Sequence, residues 1–362
     1  MLWCLQIKSQ LQVSSSDYDS LQQRCCECRA TIKLLQQLVQ VCDEFEAIQE
    51  MIASENYEES TQVHMSVGEI LTDIHAIYGN DVTVLQCLLS KHVSLEEKLE
   101  TCVMRRWKEV VSWSSPPTEL AFASGPDAHQ ELQHISQSLH NLGCLSGIMA
   151  KFASQVMAQF VDTLLSDGDT LYDIEIQSDS SSGSLKVVKV TSGEMNAMAK
   201  LQSFTLMMEM LYENLLNITI ADAKPGNGSL RDAASAAGRV QDEVMSSRSV
   251  KLMSMFADEC SSTCLEALIT RCLSSAIPSH RSDLAQFSQV AAAVEDLHQK
   301  LVEFGFIEDD NKALLDYVKN VDVLFANKRS VELLDEARTI IKSNVHNIVQ
   351  VTVLLITMEM LT

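Results

Sequence analysis

Apolar residues recur at alternating steps of four and three from Leu21, through Cys25, Cys28, Ile32, Leu35, Val39 and Cys42. A second row, Leu34, Leu38, Val41, Phe45, Ile48 and Ile52, repeats the rhythm beside it. Such steps collect residues on one helical face, so the two rows predict one long helix with a wide apolar stripe. A stripe this wide needs neighbours on more than one side. Two coverings are open: helices of the same chain close over all of it, or part of it receives a helix from another protein. Leu35, Leu38, Val39 and Phe45 lie in its middle and form the candidate partner-binding face.

The pattern continues as helix for most of the chain. Val67, Leu71, Ile74 and Tyr78 predict a second helix over about 55–78, broken by Tyr78–Asp81. A third run starts at Val82. Ser94 and Glu97 read as a capping box that opens a helix carrying Leu95, Leu99, Cys102 and Val103 towards Trp107. His92 beside that row reads as a packed or half-exposed histidine. Residues 113–130 hold Pro116–Pro117 and Gly125–Pro126 and read as a linker. Helical spacing resumes from Glu131 to Leu165. Over 171–190 the period changes to two, with Tyr172, Ile174 and Ile176 alternating with polar residues, which predicts one β-hairpin with a solvated serine-rich turn over 178–183. Further helices are predicted around Met198–Leu215, Met253–Leu268 and Phe287–Phe304, the last with Asp283 as cap and Gly305 as stop. Leu314–Phe325 and Val331–Ile348 read as two short helices joined by Ala326–Arg329 in an αα-hairpin.

Composition agrees with long helices: 362 residues contain only 12 Gly and 5 Pro, with 16 Met and few aromatics. The net charge of −22 excludes a nucleic-acid partner unless a basic stripe offsets it, and Arg105, Arg106 and Lys108 are the one tight basic cluster. The same field disfavours direct contact with anionic lipid. Eleven cysteines at irregular spacing fit a reducing compartment. The start lacks a signal-peptide pattern and the apolar run at the end is short, so a soluble intracellular chain is expected.

Cys25 and Cys28 form a Cys-x-x-Cys. On a helix both face the stripe, and no second Cys-x-x-Cys exists to complete a zinc knuckle. They read as small buried hydrophobes, with a site built from Cys25, Cys28, Cys260 and Cys264 as the metal-binding alternative. His134 and His140, six apart, do not share a helical face. No activated nucleophile, paired-carboxylate motif, phosphate loop or His-x-x-x-His stands in the sequence. The expectation is a non-catalytic binding protein with no cofactor and no metal.

Several stretches carry a resemblance. "LLDYVKNVDVLFANKRSVELLDEARTIIKSNVHNIVQV" (314–351) is similar to the middle region of the zeste-white-ten family, with its Phe-Ala-Asn-Lys core, Ala-Arg and closing His-Asn. "CLEALITRCLSSAIPS" (264–279), "RRWKEVVSW" (105–113) and "LQVSSSDYDSLQQR" (11–24) resemble further patches. The opening "MLWCLQIKSQ" and the closing "TVLLITMEMLT" leave the pattern, so the chain reads as a fragment lacking the family's start and its C-terminal half. The resemblance implies an all-α fold of elongated helical bundles, of the multisubunit tethering-complex type. It implies a scaffold in Golgi-to-endoplasmic-reticulum vesicle tethering, with the partner subunit NAG and endoplasmic-reticulum SNAREs. It also implies a kinetochore role with Rod and Zwilch, recruiting dynein–dynactin and Spindly for the spindle checkpoint. Localisation would then be cytoplasmic, peripheral at the endoplasmic reticulum through partners, and at the kinetochore and spindle in mitosis. A generic coiled-coil cytoskeletal or motor adaptor is the alternative.

With that resemblance the expected organisation is a coiled-coil-like stalk over 1–112, the linker at 113–130, a middle helical region with the hairpin over 131–277, a helical bundle over 278–351 and a divergent tail over 352–362.

Overall fold

The computed structural model describes residues 2–79, 83–114, 119–166, 171–178, 182–190, 197–221, 249–278, 280 and 284–359. Pro116–Pro117, residues 179–181 of the expected serine-rich turn and Asp283 lie outside them. The described chain is mainly helical with a small sheet. Its contacts divide into two units, each assembled from separated segments: residues 1–111, 126–148 and 219–250, and residues 112–125, 149–218 and 251–362. This division is interleaved along the chain, unlike the linear order expected from the sequence.

The first unit opens with α1 (Leu2–Ala53), a helix of 52 residues with no proline or glycine to break it. It ends in a paired turn: the Asn56 amide donates to the Met51 carbonyl and the Glu55 amide to that of Ile52. That turn needs a left-handed residue at Glu55, whose φ is 61°. Glycine is the usual occupant, so Glu55 holds a strained conformation. Next come α2 (Tyr57–Tyr78), α3 (Thr83–Val110) and α4 (Pro126–Asn141). α2 packs on α1, α3 and α4. Val41, Phe45, Ile48 and Ile52 of α1 close onto Val67, Leu71 and Ile74 of α2 and Leu85, Leu88, Leu95 and Leu99 of α3. α3 runs unbroken through Ser94, so the capping box there opens no helix. No glycine or proline interrupts residues 83–94, and Leu85 and Leu88 bury on the same side as Leu95. Strands β5 (Thr219–Ala221) and β6 (Ser249–Lys251) pair with each other. Gln137 of α4 extends β5 by exchanging two hydrogen bonds with the Ala221 backbone, each 3.0 Å.

The second unit holds β1 (Val111–Ser114), β2 (Glu119–Ala123), β3 (Leu171–Ser178) and β4 (Ser182–Val190) in one sheet of order β1-β2-β4-β3. The stretch read as a linker is therefore partly strand. Leu120 and Phe122 alternate inward there, and β2 pairs antiparallel with β4 from Glu119 opposite Lys186 to Ala123 opposite Ser182. The expected hairpin exists as β3 and β4, but it extends further than the serine-rich turn allowed: Ser178 pairs with Gly183. Gly183 also pairs with Phe122, whose ring occupies the space a Cβ would take.

Helices α5 (Leu145–Val156), α6 (Asp162–Leu164), α7 (Ala197–Leu211), α8 (Leu252–Ala267), α9 (Ser274–Ala276) and α10 (Leu284–Phe304) complete its body. Wider π-helical turns extend α5, α7 and α8 at Met157–Val161, Tyr212–Leu216 and Leu268–Leu273. Trp113, Phe152, Phe160, Phe256 and Phe306 form a connected aromatic cluster with centroids 5.6–6.0 Å apart. Tilted rings at this separation match their edge and face charges. Gly305 ends α10 at φ 75°, with the Phe306 amide donating to the Leu301 carbonyl and both side chains buried.

α11 (Ala313–Lys319) is short, and α12 (Val321–Glu359) is continuous over 39 residues. The αα-hairpin is thus absent: the break falls at Asn320, and Ala326–Arg329 lies inside a helix. Ala, Lys and Arg are good helix formers, whereas the Asn320 side chain donates to the Asp316 carbonyl and competes with helical bonding.

Candidate partner-binding face

The structure splits the wide stripe of α1 into two faces with different fates. Val41, Phe45, Ile48 and Ile52 are core residues, and Leu34 and Leu38 are half-buried against them. The other row faces outward: Ile32 and Leu35 are each 55% exposed, Val39 is 59% and Leu21 is 60%. Of the four residues of the candidate face, Leu35 and Val39 are exposed and adjacent. Leu38 sits at the edge of the core. Phe45 is 0% exposed and cannot receive a partner. Its ring packs near His92 and carries the Lys91 ammonium 5.0 Å from its centroid. Ile32, Leu35, Gln36 and Val39 line a shallow apolar hollow.

Cys25 and Cys28 lie on the exposed row, not in a core. The reading as buried hydrophobes is corrected for them, because α2 and α3 cover only the other face of α1 and only from Leu34 onward. Cys260 and Cys264 do occupy an apolar row of α8. Burial pushes the Cys260 thiol up to about 12 and the Cys264 thiol well above its ordinary value, so both stay protonated at neutral pH.

What fixes the outward row is the inner one, and its anchor includes a pair the sequence did not reveal. His64 of α2 and His92 of α3 stack with centroids 3.9 Å apart. The Nε2 of His64 donates to the His92 carbonyl at 3.2 Å, and the Nε2 of His92 donates to the His64 carbonyl at 3.1 Å. A carbonyl can only accept, so each Nε2 carries the proton and each Nδ1 is bare. Desolvation lowers the pKa of His64 to about 4, with the neighbouring imidazole adding to the effect, and desolvation also lowers His92. Gly68 leaves room for the His92 ring, since a Cβ there would lie 3.1 Å from its Nε2.

A polar cleft of about 700 Å³ lies between α2 and α4 in the same unit. Arg106 bridges Glu109 and Glu131, and His134 pairs with Glu58. The hydrogen bond to Glu109 and the bond to Glu131 raise the Arg106 guanidinium above its ordinary value. Arg106 thereby ties α3 to α4, and His134 ties α4 to α2, so these contacts clamp the three helices together. Among the described residues no group of three His, Cys, Asp or Glu could hold a metal ion, and no helix is long and apolar enough to cross a membrane.

Two curated relatives, both named centromere/kinetochore protein zw10 homolog, are 22% identical (Rattus norvegicus) and 23% identical (Mus musculus). Each alignment covers 94% of this chain and 44% of the relative, so the chain spans less than half the length of the relatives it matches. The family model described as centromere/kinetochore protein zw10, middle domain, matches residues 95–341, from within α3 to within α12, and the candidate face on α1 precedes it. With most of its length matched by that model, the chain belongs to the zw10 family of centromere/kinetochore proteins.

Proposed function

We propose that the chain is a non-catalytic scaffold subunit that docks a partner helix along the outward row of α1. The observation that carries this reading is the split of the stripe. The Phe45 row anchors α1 in its own unit and leaves Ile32, Leu35 and Val39 facing solvent. Water contact with a continuous apolar row is unfavourable, and burying it against a helix removes that cost.

The assemblies implied by the family resemblance supply the biological setting. One is vesicle tethering between the Golgi and the endoplasmic reticulum, with NAG and SNAREs. The other is the mitotic kinetochore, with Rod, Zwilch and the recruitment of dynein–dynactin. Both relatives are named as centromere/kinetochore proteins, which favours the second setting. Membrane association in either case runs through partners.

The test is affinity purification of the tagged chain from interphase and from mitotic cells, beside the Leu35→Glu/Val39→Glu variant. The proposal expects tethering subunits in interphase and kinetochore subunits in mitosis, all lost in the variant. Recovery of the same subunits by the variant would overturn the assignment to α1.

A further inference from the structure

The outward row of α1 also carries information about which helix it accepts. Leu21, Cys25, Cys28, Ile32, Leu35, Val39 and Cys42 keep strict heptad spacing, three heptads from end to end or roughly 30 Å of helix. Cys25, Ile32 and Val39 fall at a, and Leu21, Cys28, Leu35 and Cys42 at d. β-Branched residues at a with leucine at d suit a two-stranded seam. The positions flanking the seam from Gln22 to its end are Gln22, Arg24, Arg29, Thr31, Gln36, Leu38 and Asp43. The charged ones are two arginines along the seam and Asp43 at its end, all exposed.

This is unusual for a chain of net charge −22. Between Ser20 and Cys42 the charged residues are Arg24, Arg29 and Lys33 against Glu27, a local excess of cations bounded by Asp17 and Asp19 on one side and Asp43 and Glu44 on the other. In a parallel pair of copies, Arg24 at g of one would fall opposite Arg29 at e of the other, twice by symmetry. Like charges at these places oppose pairing, and flanking charges set partner choice in such seams.

Resting on the docking reading above, we infer that the outward row of α1 selects one helix of a different protein, with an apolar heptad seam flanked by Glu or Asp, and rejects a second copy of this chain. The local cations attract those carboxylates, and at physiological ionic strength the distant acidic surface is screened beyond about 8 Å. Parallel self-pairing gains no compensating ion pair.

The experiment uses the full chain and two synthetic peptides of about four heptads with identical Ile/Leu seams. One peptide carries Glu at every e and g position and the other carries Lys, so neither pairs with itself. Light scattering of the chain alone should give a monomer. The Glu peptide should bind about tenfold more tightly than the Lys peptide, the swing expected when two attractive flank pairs become repulsive. Arg24→Glu/Arg29→Glu should invert that order while leaving the melt unchanged. Equal affinity for the two peptides would overturn the charge selection and leave docking standing. Binding of neither peptide by the folded chain would overturn the docking reading itself. A dimer dispersed by Leu35→Glu would overturn the exclusion of a second copy.

Discussion

Acid should loosen the first unit through one identifiable contact. In the unfolded chain His64 and His92 take protons near pH 6.5. Folded, His64 resists protonation until about pH 4, and His92 is lowered in the same direction. Between those values the folded state binds fewer protons than the unfolded state. The contribution is therefore intact above pH 6.5 and is lost as the pH falls from there towards 4. For His64 alone the loss between pH 7 and pH 5 is about 2 kcal/mol, and His92 adds to it. The physical cause is local. The Nδ1 of His92 is buried with no partner, so its proton would be an unsatisfied donor beside a second imidazole. The charged groups nearby are Lys91 over Phe45, which opposes protonation, and Glu96, which favours it at His92. The assay is urea unfolding at pH 7 and pH 5 for the wild type and for His64→Leu/His92→Leu. The wild type should lose at least about 2 kcal/mol more than the variant over that interval. Parallel losses in the two proteins would refute the reasoning, because other carboxylates would then carry the whole effect.

Other outcomes follow from the same packing. Phe45→Ala should cost about 3–5 kcal/mol in denaturant unfolding, as a large core side chain lost with its cation contact, where an interface residue would cost little. Gly183→Ala should cost about 1–3 kcal/mol, since the methyl would enter the Phe122 ring, and a thermal melt will read it. Glu55→Gly should raise stability by about 0.5–1 kcal/mol by relieving the left-handed backbone between α1 and α2, again read by the melt.

The helices were legible because their apolar spacing is local. The two rows of α1 were both visible, yet spacing alone could not say which one is covered. That depends on where α2 and α3 return, a property of turns at Glu55 and after Tyr78 rather than of α1. The strands in 111–123 are hidden by their length and by Pro116–Pro117, and because β2 finds its partner in β4, from Glu119 opposite Lys186 to Ala123 opposite Ser182. The helix breaks at Asn320 and not at Ala326–Arg329, whose polar residues resemble a loop although none of the four opposes a helix strongly. His64 and His92 stand 28 residues apart, and no spacing rule joins them. Of the candidate face, Leu35 and Val39 stand exposed on the outward row, and Phe45 belongs to the inner row.

Cysteine reactivity tests the two-faced helix most directly, because the exposed row carries its own probes. Brief alkylation of the native chain, followed by peptide mass spectrometry, should modify Cys25, Cys28 and Cys42 and spare Cys260, Cys264 and Cys272. Repeated on the chain recovered with its bound subunits, the same treatment should spare Cys25 and Cys28 as well. If Cys25 and Cys28 of the isolated chain are as protected as Cys264, the row is covered by the chain itself and offers no face to a partner.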